Sequence, residues 1–256
     1  MSATLAIVEV PARTVEAAGQ PHSIPRPAFL RIEGQLLFEW IIRRVTDSQL
    51  LDIVAVLIDP SQQQALRQAT PSDVELVIGS KPDALGRFAA AVRRFEASQV
   101  VRVTADSPFV DPELIDRLIC TANRHPTADY VGYRSMEETP TSQPKLGVFA
   151  EFCRAEAVLR ADRMAIEPVD RRDSMKFLFS HPEQFELKMI PIPPALDRHD
   201  VRLTVDVEED WEHAQSIVEA LGPDSLSWHS IAGLLNEQPA MRRRMAVLNQ
   251  AAGSIL

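Results

Sequence analysis

Two aspartates stand where an α/β protein does its chemistry. Asp106 ends the run VVRVTAD at residues 100–106, and Asp206 ends VRLTVD at residues 201–206. Each follows an apolar stretch of strand length, which puts both at the C-terminal lip of a strand, where open α/β sheets bind ligands. Two convergent carboxylates with no Cys or His in the same runs suit a hard cation such as Mg²⁺. That ion takes one or two carboxylates and completes its shell with substrate phosphates. The same side chains would serve equally as caps of loops or helices, and residue type alone leaves both readings open.

Other chemistries find little support. Neither G-x-x-x-x-G-K-[ST] nor G-x-G-x-x-G occurs, so P-loop and Rossmann dinucleotide readings fall. There is no G-x-S-x-G and no His pair with zinc spacing. The six histidines are scattered and read as surface or capping residues. Nine glycines against nineteen prolines speak against a glycine-rich phosphate cradle in its common forms. Two cysteines, Cys120 and Cys153, cannot form a disulfide scaffold, and their apolar contexts read as core.

The net charge of −9 argues against a nucleic-acid coat or a binder of anionic membranes, although one basic pocket would still admit an anionic small ligand. No apolar run approaches the ~18 residues of a membrane span. The first ten residues lack a basic stretch and read as a strand rather than a signal peptide, so the cytoplasm is the expected address.

The elements that must carry the two aspartates alternate. Residues 5–10 read as a strand, and 11–27 as a long proline-broken loop. Residues 35–45 read as a helix, 53–58 as a strand, 61–70 as a helix and 74–78 as a strand. Residues 83–97 form a helix with Leu85, Phe88 and Val92 on one face, and 100–104 form a strand. Asp111 is the expected N-cap of the next helix, with Pro112 at its first position. This βαβ order gives a mostly parallel sheet with helices on both faces. The second half reads as strands at 129–133, 146–152, 185–190 and 201–205, a helix at 169–179, and an acidic helix start at Glu208. Helices near 225–237 and 239–250 close the chain. One domain over 1–256 is expected, with a C-terminal helical extension at 222–256 and the middle segment inserted over one sheet edge.

Three separated motifs carry a family resemblance. The stretch from Arg102 to Asp116, RVTADSPFVDPELID, resembles the RITGDCPLIDPELID element of the spore-coat polysaccharide cytidylyltransferase-like (SpsF-type) family. That family is related to the enzymes that activate KDO and sialic acid as CMP-sugars. KPDALGRF at 81–88 resembles its D-V-L-x-R-Y element, and RLTVDVEED at 202–210 resembles RWTVDTPEDL. Residues 34–43 also match GGKPLLEWVIER in pattern, and the elements keep family order over about residues 4–220.

The resemblance implies a GT-A-like nucleotidyltransferase fold. It implies that Asp106 and Asp206 hold Mg²⁺ against the nucleotide phosphates, and that Asp83 and Arg87 open a helix on the nucleotide side. The family's first loop, [IV]-x-A-R-x-x-S-T-R-L-P-G-K, holds the triphosphate. Val10-Pro-Ala-Arg13 matches its opening, so Arg13 takes the first arginine's place. Pro27 then falls where the lysine belongs and Ser23 where the second arginine belongs, with Arg26 or Arg31 as substitute cations. Proline supplies neither charge nor N–H. The D-R-E-H-V-T element becomes Asp170-Arg-Arg-Asp173-Ser-Met, and the sugar-side motif shrinks to Gln143-Pro-Lys-Leu-Gly147.

Three functions are therefore expected to compete. The first is transfer of CMP from CTP, or of another nucleotide, to a small sugar-like acceptor with release of pyrophosphate. The second is a non-catalytic binding or scaffold protein of the same fold in a polysaccharide or nucleotide-sugar pathway. The third is a nucleotide-sugar-dependent glycosyltransferase, for which Asp206-Val-Glu208 is a weak D-x-D substitute. Neither a nucleic-acid nor a membrane partner is expected, and the resemblance leaves a homodimer open.

Overall fold

Thr4–Glu9 (β1) is buried at every residue, and that is why its sequence, TLAIVE, is almost continuously apolar. It is the centre of the sheet. The computed structural model describes residues 3–10, 27–79, 83–136 and 146–253. β1 pairs in parallel with Ile53–Ile58 (β4) on one side and Gln99–Thr104 (β6) on the other. Two short strands intervene in sequence, Arg31–Ile32 (β2) and Gln35–Leu36 (β3), which form a separate antiparallel ribbon. Glu75–Ile78 (β5) extends the sheet beyond β4.

The second half adds Tyr130–Arg134 (β7), Glu151–Arg154 (β8) and Leu187–Pro191 (β9). The order is β5-β4-β1-β6-β8-β7-β9. β8 is antiparallel to both its neighbours, while β7 and β9 are parallel. Six strands therefore point one way and one runs back. The middle segment is thus not an insertion laid over an edge. It supplies the sheet's last three strands, whose exposed backbone groups find partners only by joining the ladder.

Helices cover both faces. Ala6, Val8, Val56, Val101 and Val103 face Leu37–Thr46 (α1) and Pro112–Arg124 (α4). Leu5, Ile7, Leu57 and Val100 face Ala84–Arg94 (α3) and Ala155–Met164 (α5), which follow the short helix Gln63–Leu66 (α2) in numbering. Asp111 caps α4 as expected, accepting from Glu113 N and Leu114 N at 3.0 and 3.2 Å. Its other oxygen accepts from Trp228 N at 2.8 Å, so one carboxylate also anchors the first residue of Trp228–Glu237 (α8).

Several expected elements differ. The strand expected at 146–152 forms only over Glu151–Arg154, and the helix expected at 61–70 shrinks to a 3₁₀ turn at Pro60–Gln62 and the short α2. Residues 169–179 do not form one helix. A 3₁₀ turn at Pro168–Arg171 is followed by the short helix Lys176–Ser180 (α6), because the side chains between them are drawn apart. Arg171 reaches Asp83 and Asp162, whereas Asp173 reaches Arg102. Residues 201–205 join no strand ladder. They are buried and run along the C-terminal edge into Glu208–Leu221 (α7), and Val205 N–H donates to the Asp106 carbonyl at 2.8 Å. The apolar pattern of VRLTV records its burial, and an edge segment buries the same residues as a strand. The helix Pro239–Gly253 (α9) follows α8.

Candidate functional site

The strand order reverses at β1 and β6, which makes their C-terminal ends the crevice of the sheet. Asp106 lies there, two residues past β6. Ser107 Oγ donates to its Oδ1 at 3.1 Å and exchanges a 3.2 Å bond with Thr104 Oγ1. The Val205–Asp106 backbone bond brings Asp206 alongside. Burial raises the Asp106 pKa above the ordinary carboxylate range, and the charge of Asp206 raises it further; bonds from Thr104 and Ser107 and the Arg102 charge offset part of this. The two acidic groups thus lie close enough for the charge of one to raise the pKa of the other, with hydroxyls as neighbours. A divalent cation would relieve that repulsion, and the donors are all hard oxygens.

Asp206 is held from behind. Arg202 Nη2 donates to its Oδ2 at 2.7 Å, and Thr204 Oγ1 donates to the same atom at 3.2 Å. Arg202 is buried and also forks onto Asp210, with Nε to Oδ1 at 2.8 Å and Nη2 to Oδ2 at 3.0 Å. Asp210, itself fully buried, accepts the N–H groups of Asp206 and Val207 at 3.0 and 3.1 Å. The spacing R-x-x-x-D-x-x-x-D was the available signal for this clamp, and neither Arg202 nor Asp210 was singled out from sequence.

Gly147 sets the height of this segment. Its φ is +64°, and a Cβ there would stand 2.4 Å from both the carbonyl carbon and the oxygen of Leu203. Only glycine meets both demands. Gly147→Ala is expected to lose about 2–4 kcal/mol of stability, from left-handed strain plus overpacking. Gly233→Ala, in open space on α8, is the control and should be neutral or stabilising by about 0.5–1 kcal/mol. Urea unfolding of both variants checks this, and equal stabilities would refute it.

A second charged cluster lies under the crevice on the α3/α5 side of the sheet. Arg102 on β6 donates from Nε to Glu9 at 2.9 Å, from Nη1 to Glu151 at 2.7 Å, and from Nη2 to Asp173 at 3.1 Å. Ser174 Oγ donates to Glu9 at 2.7 Å and Tyr130 Oη to Glu151 at 2.8 Å. Burial by itself would lower the arginine's pKa, but three surrounding carboxylates hold it well above its ordinary value. Burial keeps Glu151 above the usual range despite Arg102. It would raise Asp173 too, yet Arg102 and the Met175 and Lys176 N–H groups hold that carboxyl low. Residues 9, 102, 151 and 173 are far apart in sequence, and this cluster was not anticipated.

The remaining candidates are placed as follows. Asp83 is the N-cap of α3, accepting from Gly86 N at 2.7 Å, and pairs with Arg171 Nε at 3.0 Å. The Arg87 side chain lies across Gly79, whose missing Cβ leaves room for it at the end of β5. It is also close enough to Asp59 to help lower that carboxyl's pKa, after the larger effect of Ser61. Arg87 thus lies at the β4–β5 end of the sheet, and Asp83 is engaged by Arg171. Arg13 and Arg26 lie outside the described residues. Among the described residues no group of three or more His, Cys, Asp or Glu could hold a metal ion, and no helix is long and apolar enough to cross a membrane.

Comparison with known proteins agrees with this architecture. The model of a family described as cytidylyltransferase matches residues 23–240. The spore coat polysaccharide biosynthesis protein SpsF of Bacillus subtilis is 29% identical over 164 residues, 63% of this chain and 64% of that protein. A cytidylyltransferase structure from Leptospira borgpetersenii serovar Hardjo-bovis superposes with a TM-score of 0.78 at 16% identity, covering 94% of this chain and 97% of that one. A CMP:2-keto-3-deoxy-manno-octonic acid synthetase complexed with CTP gives 0.62 at 12% identity, covering 86% and 99%. These last two likenesses concern the fold.

Proposed function

The chain belongs to the cytidylyltransferase family, and on that premise we propose that it transfers CMP from CTP to a small sugar-like acceptor and releases pyrophosphate. The observation that carries this reading is the pair of neighbouring carboxylates, Asp106 and Asp206, at the crevice where the strand order reverses between β1 and β6. In this reading they hold Mg²⁺, which when bound would neutralise charge developing on the phosphates. Arg202 and Thr204 aim Asp206, and Ser107 aims Asp106. Arg13 and Arg26 are the proposed triphosphate contacts. Asp83 and Arg87 are proposed on the nucleotide side, Asp83 by setting the start of α3.

The acceptor oxygen attacks the α-phosphorus in line, a hydroxyl acceptor losing its proton to solvent. Its bond to phosphorus forms as the bond to the bridging oxygen breaks, and pyrophosphate carries the electron pair away. The protein's work is positioning and charge stabilisation. A nucleoside triphosphate substrate makes the cytoplasm the proposed working compartment.

Pro27 favours a second reading. It opens a 3₁₀ turn, Pro27–Phe29, at the position where the family pattern has lysine, and it brings no charge and no N–H. A relative with a weakened phosphate loop would keep the fold and act as a binding or scaffold partner. Calorimetric titration of CTP, UTP, ATP and GTP, each with Mg²⁺, separates the two. The transferase reading expects CTP to bind most tightly, and pyrophosphate release to require both CTP and an acceptor. No CTP binding at millimolar concentration would end it and leave the scaffold reading.

A further inference from the structure

We infer that Asn249, on the C-terminal helix α9 and beyond the stretch matched by the family, is a positioning residue for Asp206. The inference rests on the reading of Asp206 as a cation ligand. Residues 201–206 join no strand ladder, so their backbone groups and their carboxylate must be held by other means. α9 supplies much of that hold. Asn249 Nδ2 donates to the carbonyls of His199 and Val201 at 2.9 and 3.0 Å. Its Oδ1 accepts from Arg202 Nη1 at 3.4 Å. Arg242 Nη1, two turns earlier, donates to Asp200 Oδ2 at 2.9 Å. One helix thus grips four consecutive residues, 199–202, and the next carboxylate along the chain is Asp206.

The geometry makes this more than a brace. The Asn249 amide is planar, so seating its nitrogen on two carbonyls fixes where its oxygen lies. The Arg202 guanidinium is planar too, so an anchor on Nη1 fixes the plane in which Nη2 meets Asp206 at 2.7 Å and Asp210 at 3.0 Å. Asn249 acts through Arg202 and does not itself touch the crevice pair. Arg242 grips the same segment through Asp200 and makes no hydrogen bond to Arg202, which makes it the proper control.

Two measurements test this, on the full chain. In the metal-free protein, hydrogen exchange reads the amides of Val205, Asp206 and Val207, which donate to the Asp106 carbonyl and to Asp210. Asn249→Ala should speed their exchange at least tenfold and leave the β6 amides unchanged, whereas Arg242→Ala should leave them within about threefold. In CTP turnover, Asn249→Ala should raise the half-saturating Mg²⁺ concentration about tenfold and recover most of kcat at saturating metal. Arg242→Ala should shift it less than twofold. Unchanged exchange at 205–207 in Asn249→Ala, or equal shifts in both variants, would overturn the inference. If the wild type shows no metal-dependent turnover, the transferase reading fails by itself. The exchange data then still decide whether Asn249 orders the Asp206 segment, and equal exchange in wild type and Asn249→Ala refutes it.

Discussion

Asp106→Asn should lower CTP turnover by about 100–1,000-fold, the usual loss when one preorganised electrostatic contact is removed from a water-poor site. The same change should leave the fold intact and make the metal-free protein more stable at neutral pH. Asp106 is a half-buried acid close to Asp206, and both desolvation and that charge raise its pKa. A carboxyl whose folded pKa is raised stabilises the fold below its unfolded pKa, and that contribution is lost as pH rises through the folded value. The gain of the Asn variant over wild type should therefore be absent near pH 3.5 and grow as pH rises past the ordinary carboxylate range, about 3.9. Thermal melts without metal from pH 3.5 to 8, beside a pyrophosphate-release assay, measure both halves. Unchanged turnover would remove Asp106 from the mechanism. A variant less stable than wild type at pH 8 would mean that Asp106 is a structural cap.

Arg102→Met should be the most destabilising substitution in the crevice floor, costing about 3–5 kcal/mol. Removing the cation from a buried ion cluster strands the charges it compensated. Here Glu9, Glu151 and Asp173 all point at one guanidinium, and the side chains of Arg102 and Glu9 are about nine-tenths buried. The deficit should depend on pH with a definite sign. In the variant the stranded carboxyls have raised pKa values, so their stability contribution is present in acid and lost as pH rises. In wild type Asp173 is held low, and its contribution is present at neutral pH and lost as pH falls through its depressed value. Both trends shrink the difference in acid. Urea unfolding at pH 7 and pH 4.5 should show the larger gap at pH 7. A gap of equal size at both would assign the loss to packing around the methionine rather than to charge.

The cluster around Arg102 also accounts for a departure in the sequence. Asp173 falls at the histidine of the D-R-E-H-V-T pattern that residues 170–175 resemble. It accepts from Met175 N and Lys176 N at 2.8 and 2.9 Å while its other oxygen meets Arg102. An aspartate can do both jobs at once because its two oxygens lie in a fixed fork. The departure therefore matches a local cap and an ion pair made by the same side chain.

Much of the frame was legible because burial leaves a mark on composition. β1, β4 and β6 lie in the middle of the sheet and read as mostly apolar runs, TLAIVE, IVAVLI and QVVRVT, of which only IVAVLI is unbroken. The Asp111–Pro112 start of α4 was legible because a cap is a local contact, made within three residues. VRLTV was misread as a strand for the same reason that β1 was read correctly. Val201, Leu203 and Val205 are as buried as strand residues, and periodicity reports burial without reporting which backbone groups are paired. The single reversed strand β8 was also hidden, since direction within a sheet leaves no trace in a four-residue run.

By itself the amino-acid sequence determined the alternating elements, the family motifs, and the two aspartates at chain positions that follow buried runs. These are properties of short stretches, set by local burial, capping and residue chemistry. Only the tertiary structure decided that the Asp106 and Asp206 segments lie side by side, that Arg202 and Asp210 hold the second of them, and that Asn249 contacts Arg202. It alone gathered Glu9, Glu151 and Asp173 on Arg102. Apart from the local Arg202–Asp206–Asp210 clamp, each of these joins residues that are far apart along the chain. Charge and hydrogen bonding act over a few ångströms of space, whatever the distance along the chain.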